Sequence, residues 1–332
     1  MRQPTPAAVP GVQVEHVDVP MIGHITVPSP KRVSTIADRL ERCAPDVVHA
    51  HGMFSAFAIG AVLAASRLRV PSVFTVHSLL RPLPVFTSAC ALFRIFLTRA
   101  DVVTGVSAVT VADIERASGR EARLIPNGLA LANWQPAPLA MPTVPTVRML
   151  AVMRLAPKKR PLDLVQALAA AVRRQPTLEI VLEIAGEGPM RSAVEREARL
   201  PGLGDRVVFH GICPRERVRE LLRGASMFVQ PGAREAFGLA MLEARASGVP
   251  IVAMASGGVT ELVEHRRHGL LAHSHHELGE CVAEMALNAE LRIRCAAEAA
   301  RGLERYDWSV VAGQHEAAYA TAIDRRQTSG RR

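Results

Sequence analysis

Aromatic residues are scarce, at 4% of 332 residues. Proteins that bind single-stranded nucleic acid stack bases on aromatic rings, so that class finds no support and no nucleic-acid partner is expected. The five cysteines, Cys43, Cys90, Cys213, Cys281 and Cys295, are scattered and never spaced as CxxC. Such a set suits reduced thiols in a cytosol and argues against a disulfide frame or a zinc site. The start, MRQPTPAAVPG, has no apolar core of the kind a secretory leader carries. No apolar run reaches membrane-spanning length without a charge. There is no GxxxxGKS/T P-loop, no GxGxxG after a first strand and no GxSxG elbow. P-loop, standard dinucleotide-binding and α/β-hydrolase sites are thereby set aside.

What is present is an apolar, basic chain. Hydrophobic residues make up 49%, enough for a core in each of two domains. The formal charge of +9 is spread over single arginines, plus a basic tail, Arg325, Arg326, Arg331 and Arg332, expected to be disordered. Spread basic charge suits anionic small substrates or an acidic membrane surface. It equally fits arginine standing in for lysine on a solvated face.

Short apolar runs alternate with helical spacing. Strands are expected over residues 11–19, 46–50, 71–76 and 101–106, and helices over 33–43, 56–66, 83–99 and 108–117. Residues 83–97 are apolar with Arg81, Arg94 and Arg99 around them. They read as a core helix, the other reading being a membrane-surface helix. A stretch with four prolines, 133–145, reads as an interdomain linker. Strands then follow over 148–152, 179–185, 206–209, 227–230 and 250–253. Helices fall at 161–174, 190–199, 215–223, after Gly238, from Thr260, across 277–302 and over 308–323. Such alternation builds parallel sheets covered on both faces. A doubly wound domain usually opens with a buried strand and a glycine-bearing turn; neither precedes residue 11, so a missing natural beginning is expected.

Open parallel sheets bind ligands outside the carboxyl ends of their strands. Those positions here carry Met153, Arg154 and Lys159; Gly186, Glu187 and Gly188; His210 and Gly211; the Glu235 loop; and Gly257, Gly258 and Glu261. Together they describe an anion cleft bordered by acids that suit hydroxyl groups. The centre is REAFGLAMLEARA, residues 234–246, where a helix is expected to start at about Gly238. The amides of Phe237, Gly238 and Leu239 would then be unpaired at the positive end of a helix dipole. Glu235 would lie just outside that terminus and Glu243 more than a turn inside. Taken alone, the pair also fits a helix start with one surface acid and one capped acid. Arg154 and Lys159 are the cations best placed for a diphosphate. In the first half, His77 ends the strand VFTVH and would face the same cleft; a satisfied or merely exposed histidine is the plain alternative. His49 and His51 flank Ala50, but no acid or cysteine lies near to complete a metal site.

With these stretches in hand, the chain resembles the retaining glycosyltransferases of family 4. The matching segments are DVVHAHG, FTVHS, ADVVTGVS, LIPNGL, RLAPKKRPLDL, AGEGPM, VVFHG, EAFGLAMLEARASGVPIVA, GGVTELV and HGLL. The resemblance implies an α/β GT-B architecture, two Rossmann-like parallel-sheet domains facing across a cleft, with the first apparently lacking its first strand and glycine-rich loop. It implies that Arg154 and Lys159 bind the diphosphate of a nucleotide-sugar, that Glu235 bonds sugar hydroxyls, and that the amides of Phe237, Gly238 and Leu239 assist. It further implies that Glu243 bonds the ribose, that Gly186 and Gly188 shape the nucleotide pocket, and that Gly257 and Gly258 border the donor. His77 would approach the sugar from the other domain, and the helix after Trp308 would cross back to the first domain. Met153 and Arg160 depart from the family, which usually has glycine at both places.

The implied reaction moves a hexosyl group from a UDP- or GDP-sugar to an acceptor hydroxyl with retention, without a cofactor or metal. The acceptor would be a glycan, a lipid-linked molecule or a small molecule, in cell-surface glycan or glycolipid synthesis. The expected setting is the cytoplasm, with peripheral association at the inner membrane face. The expected domains are 1–143, 144–307, a crossing helix 308–324 and the tail 325–332. A non-catalytic relative that binds a nucleotide-sugar or a partner subunit is the competing reading, and an epimerase of similar architecture a distant third.

Overall fold

The computed structural model describes residues 10–15, 30–52, 55–80, 96–136 and 146–329. The first domain contains α1 (Pro30–Cys43), β1 (Val48–His51), α2 (Ala56–Leu68), β2 (Ser72–Val76), β3 (Val102–Gly105), α3 (Ala108–Ser118) and β4 (Arg123–Leu124). Its strands form one parallel sheet in the order β1-β2-β3-β4. The second domain contains β5 (Val147–Val152), α4 (Leu162–Arg174), β6 (Ile180–Ala185), α5 (Arg191–Ala198), β7 (Val207–Gly211), α6 (Arg215–Gly224) and β8 (Met227–Gln230). It continues with α7 (Leu239–Ala246), β9 (Ile251–Met254), α8 (Val259–Leu262), β10 (Gly269–Ala272), α9 (His275–Leu287) and α10 (Ala289–Ala299), and the chain ends with α11 (Trp308–Ser329). Its six strands are parallel in the order β10-β9-β8-β5-β6-β7.

Side-chain alternation explains the layers. In β5, Met149 and Ala151 enter one core cluster while Leu150 enters the other. In β8, Met227 and Val229 take the first face and Phe228 the second. Both faces are therefore apolar, as a parallel sheet between helices requires. Helices α4 and α9 cover the first face through Leu164, Leu168, Leu278 and Val282. Helices α6 and α7 cover the second through Leu221, Leu222, Met241 and Leu242. In the first domain, one face of the sheet buries Phe74, Val76 and Val103 with α2. The other face, Val73, Val102 and Ile125, is closed by Val311, Ala318 and Ala322 of α11. The last helix thus completes the first domain's core.

Several expectations are corrected. Residues 11–15 form no strand; Val12 and Val14 stay exposed, so their alternation has no sheet to face. Residues 16–19 of that expected strand lie outside the described residues, as do 83–95 of the apolar helix and most of the proline-rich linker. The short strands β4 and β10 were not foreseen, being two and four residues long. Leu129 and Trp134, on the first-domain side of the expected boundary, are buried in the second domain's core. The expected disordered tail is helical from Arg325 to Ser329, because α11 carries on past the expected end. Arg325 donates to the carbonyl of Asp101 at 2.8 Å and Arg326 to its carboxylate at 2.7 Å. Among the described residues no helix is long and apolar enough to cross a membrane.

Asp101 gathers this closure. Its Oδ2 accepts from the Ser72 amide at 2.8 Å, the Ser72 hydroxyl at 3.1 Å and Arg326. Removing it leaves a partly buried amide and a guanidinium without their acceptor, which costs on the order of 1–3 kcal/mol. Urea unfolding of Asp101→Ala is expected to show that loss.

Candidate active site

Strand order fixes where the site lies. Strands β6 and β7 extend to one side of β5 and β8, β9 and β10 to the other, so the switch point falls between β5 and β8. Loops leaving the carboxyl ends of these two strands diverge and open a crevice. Lys159 follows β5 and Glu235 follows β8, and the two meet as an ion pair. Gln230, the last residue of β8, donates to the same Glu235 oxygen at 3.0 Å. Lys159 closes a single 3-10 turn, Pro157–Lys159, and Arg160 follows at φ 53°. That left-handed backbone is a physical reason for a glycine preference at this place. Arg160 is held there by an ion pair to Asp163 at 2.7 Å.

Beside this pair is a cavity of about 690 Å³, formed by the ends of β5, β6 and β7. Arg154, Gly186, Glu187, Ile212 and Cys213 line it. Arg154 is exposed. Gly186 has φ 141°, and a Cβ built on it would sit 1.8 Å from the Met153 carbonyl oxygen. Only glycine lets these two loops approach so closely. Gly188 lies against the backbone of Leu155, whose amide donates to the Glu187 carbonyl at 3.0 Å. Met153 packs with the first core cluster and also lines the cavity.

On the other side is the start of α7. Gly238 precedes it with φ 99° and supplies no side-chain cap. The amides of Phe237, Gly238 and Leu239 find no acceptor among the described residues. Gly258 donates to the Glu235 carbonyl at 2.9 Å. Gly257 sits at φ 62°, where a Cβ would come within 2.1 Å of that carbonyl oxygen. Glu243 is buried on α7, and Arg215 at the start of α6 lies 3.6 Å from its Oε1. Burial raises its pKa to about 7, against the opposing pull of Arg215. It is therefore poised to gain or lose a proton near neutrality.

His77 lies in a separate cluster. Its Nε2 is 2.9 Å from His51 Nδ1, and it hydrogen-bonds Asn127. The His51 ring lies against that of His49, with centroids 4.1 Å apart and the planes tilted by 35°. His49 contacts Thr75 Oγ1 at 2.7 Å and Tyr319 of α11 at 2.8 Å. His315 of the same helix lies 5.2 Å from the His49 ring. These partners belong to the first domain and α11. Burial first, then mutual repulsion, lowers the pKa of His49 to about 3 and of His51 to about 4. Burial likewise lowers His77 and His315.

The second domain thus brings Arg154, Lys159, Glu235, Glu243, Gly186, Gly188, Gly257, Gly258 and the α7 amides to one sheet edge. His77 stands apart, with no hydrogen bond to that group among the described residues. Sequence reasoning gave no role to Gln230, the last residue of β8, or to Arg215, the first of α6. It also missed the His49–Tyr319 contact, which spans 270 residues of sequence and leaves no local trace.

Two parallel-sheet α/β domains, with a basic crevice at the carboxyl edge of the second, define the class as GT-B-type glycosyltransferases. Residues 145–302 match the family described as glycosyl transferases group 1, and residues 2–133 match glycosyltransferase family 4. A D-inositol 3-phosphate glycosyltransferase of Stackebrandtia nassauensis is 30% identical over 317 residues, covering 86% of this chain and 70% of that protein. The protein of that name from Streptomyces griseus is 33% identical over 181 residues, 51% of this chain and 38% of its own length. The crystal structure of Anabaena HepE in complex with UDP and glucose aligns with a TM-score of 0.75 at 21% identity, covering 87% of this chain and 80% of that one. The chain belongs to glycosyltransferase family 4.

Two outcomes follow from the geometry. Gly257→Ala must displace the Glu235 carbonyl or strain its own backbone, so the Glu235 loop should shift and nucleotide-sugar binding should weaken at least tenfold, read by calorimetry. The histidine cluster sets a pH response. Imidazoles kept neutral in the fold take up protons near pH 6.5 once unfolded. Their contribution to stability is complete above pH 6.5 and is lost as pH falls towards 4 and then 3. Melting temperatures measured from pH 7 to pH 4 should fall less steeply in His49→Gln than in the parent.

Proposed function

We propose that the protein transfers a hexosyl group from a UDP- or GDP-sugar to an acceptor hydroxyl, with retention of anomeric configuration. The observation that carries this reading is the Lys159–Glu235 pair at the sheet's switch point, on the same strand edge as the unpaired α7 amides and the cavity lined by Arg154. Breaking the anomeric bond builds negative charge on the departing diphosphate. Lys159, Arg154 and the helix terminus are the fixed positive charge that stabilises it, a role that a metal ion can fill elsewhere. Glu235, held by Lys159 and Gln230, accepts from sugar hydroxyls instead of attacking the anomeric carbon. Glu243 accepts from the ribose, and His77 approaches the sugar from the first domain. The cavity takes the base between the loops of Gly186 and Ile212. No resident metal is needed in this scheme.

The names of the relatives support a polyol or sugar hydroxyl as acceptor, since those proteins are described as acting on D-inositol 3-phosphate. The neighbouring structure of HepE, solved with UDP and glucose, supports a nucleotide-sugar donor. A place in cell-surface glycan or glycolipid synthesis, at the cytoplasmic membrane face, is the setting we infer from the spread basic charge.

Nucleotide release from UDP-glucose, UDP-N-acetylglucosamine and GDP-mannose tests the proposal directly. Turnover with one donor is expected, and Lys159→Ala should lower kcat/KM about 10²–10³-fold, as loss of one preorganised charge does. Undiminished turnover in that variant would overturn the assignment. Donor binding without turnover by the parent would favour a non-catalytic relative.

A further inference from the structure

A second basic cavity, about 390 Å³ in volume, lies between the end of α7, helix α8 and the segment that leads into α11. It shares no lining residue with the cavity at the ends of β5, β6 and β7. Its wall carries Arg245, Arg267, Arg301 and Arg305 against Glu261 and Glu264. Glu298, outside the wall, pairs with Arg267 at 3.1 Å and with Arg301 at 2.5 Å. Four guanidinium groups therefore face three carboxylates.

Two buried groups give the cavity its character. Arg245 is 3% exposed and donates to the carbonyls of Leu262, Ala299 and Arg301. All three acceptors are neutral, so among the described residues no carboxylate is bonded to this charge. Burial and the neighbouring Arg267 and Arg305 lower its pKa to about 10, which leaves it cationic at neutral pH. His268, 8% exposed, accepts from the Glu264 amide at its Nδ1, 3.1 Å away. A neutral ring accepting at Nδ1 must carry its proton on Nε2. That Nε2–H meets no acceptor among the described residues, and the residue lines the cavity. Arg305 lies at the rim, bonded to the Glu261 carbonyl at 3.1 Å and stacked on Tyr306.

We propose that this cavity binds a small phosphate-bearing anion, taken by the Nε2–H of His268 and the forks of Arg301 and Arg305, with Arg245 supplying the charge beneath. Planar guanidinium forks match phosphate oxygens in pairs, and the anion balances the excess positive charge. The cavity has room for a phosphate ester of a small organic group. The assignment is independent of the donor reading, because it uses none of the crevice residues. An occupant would tie α8, which follows the Gly257–Gly258 turn, to the strand of chain entering α11.

Inorganic phosphate is the probe, titrated by calorimetry into the full-length Lys159→Ala chain, in which the crevice has lost its central cation. Saturable binding is expected there. It should weaken at least about tenfold in the same chain carrying Arg301→Gln and Arg305→Gln, both exposed positions. His268→Asn should weaken it in the same direction, since its side-chain oxygen can still accept from the Glu264 amide while the Nε2–H is gone. Far-UV circular dichroism checks that each variant is folded. Co-sedimentation with phosphatidylcholine vesicles containing phosphatidic acid separates the sources: loss of vesicle binding in the arginine variant assigns a lipid headgroup, and phosphate binding alone assigns a soluble ester. No phosphate binding to Lys159→Ala, or equal binding with the arginines replaced, overturns the proposal.

Discussion

Two backbone approaches that exclude a side chain hold the crevice together. Gly186 lies against the Met153 carbonyl and Gly257 against the Glu235 carbonyl, each at a positive φ. The first joins the loops after β5 and β6, and the second joins those after β8 and β9. The loops flanking the switch point are thereby fixed before any side chain is considered. Lys159 and Glu235, one from each pair of loops, close the remaining gap as an ion pair. A glycosyltransferase must hold charge in place while a bond breaks, and rigid loops let the charges act without reorganising.

Much of this edge was legible in the sequence because it is local. Each candidate residue follows a short apolar strand, and strand ends in a parallel sheet share one edge. Buried strands such as residues 227–230 and 251–254 rest on short apolar runs, Met227–Val229 and Ile251–Met254, which stand out from their polar and turn-forming flanks. The start of α7 at Gly238 also followed from composition. The illegible parts depend on distance in the chain. Strand β4 has two residues and exists only because β3 offers a partner. The helical course of Arg325 and Arg326 depends on Asp101, more than 220 positions earlier. The ion pair between Lys159 and Glu235 was not expected, since the two were assigned separate tasks on the donor.

The buried ionisable groups sort into two chemical environments. The first domain collects imidazoles that are kept neutral by burial and by one another. The second buries Glu183 beside Arg148 and Asp163 beside Arg160, while Glu243 has its proton affinity raised to near neutrality and Arg245 is bonded to carbonyls alone. The imidazole cluster is thus uncharged, while the crevice of the second domain is lined by fixed charge.

The chain passes between the domains twice, and the two passages are neighbours. Leu129 on the outward path bridges Asp307 on the return, with the Leu129 amide on the Tyr306 carbonyl at 2.8 Å and the Trp308 amide on the Leu129 carbonyl at 3.2 Å. Two adjacent crossings of this sort tie the halves along one line, where sliding them or pulling them apart would break both backbone contacts.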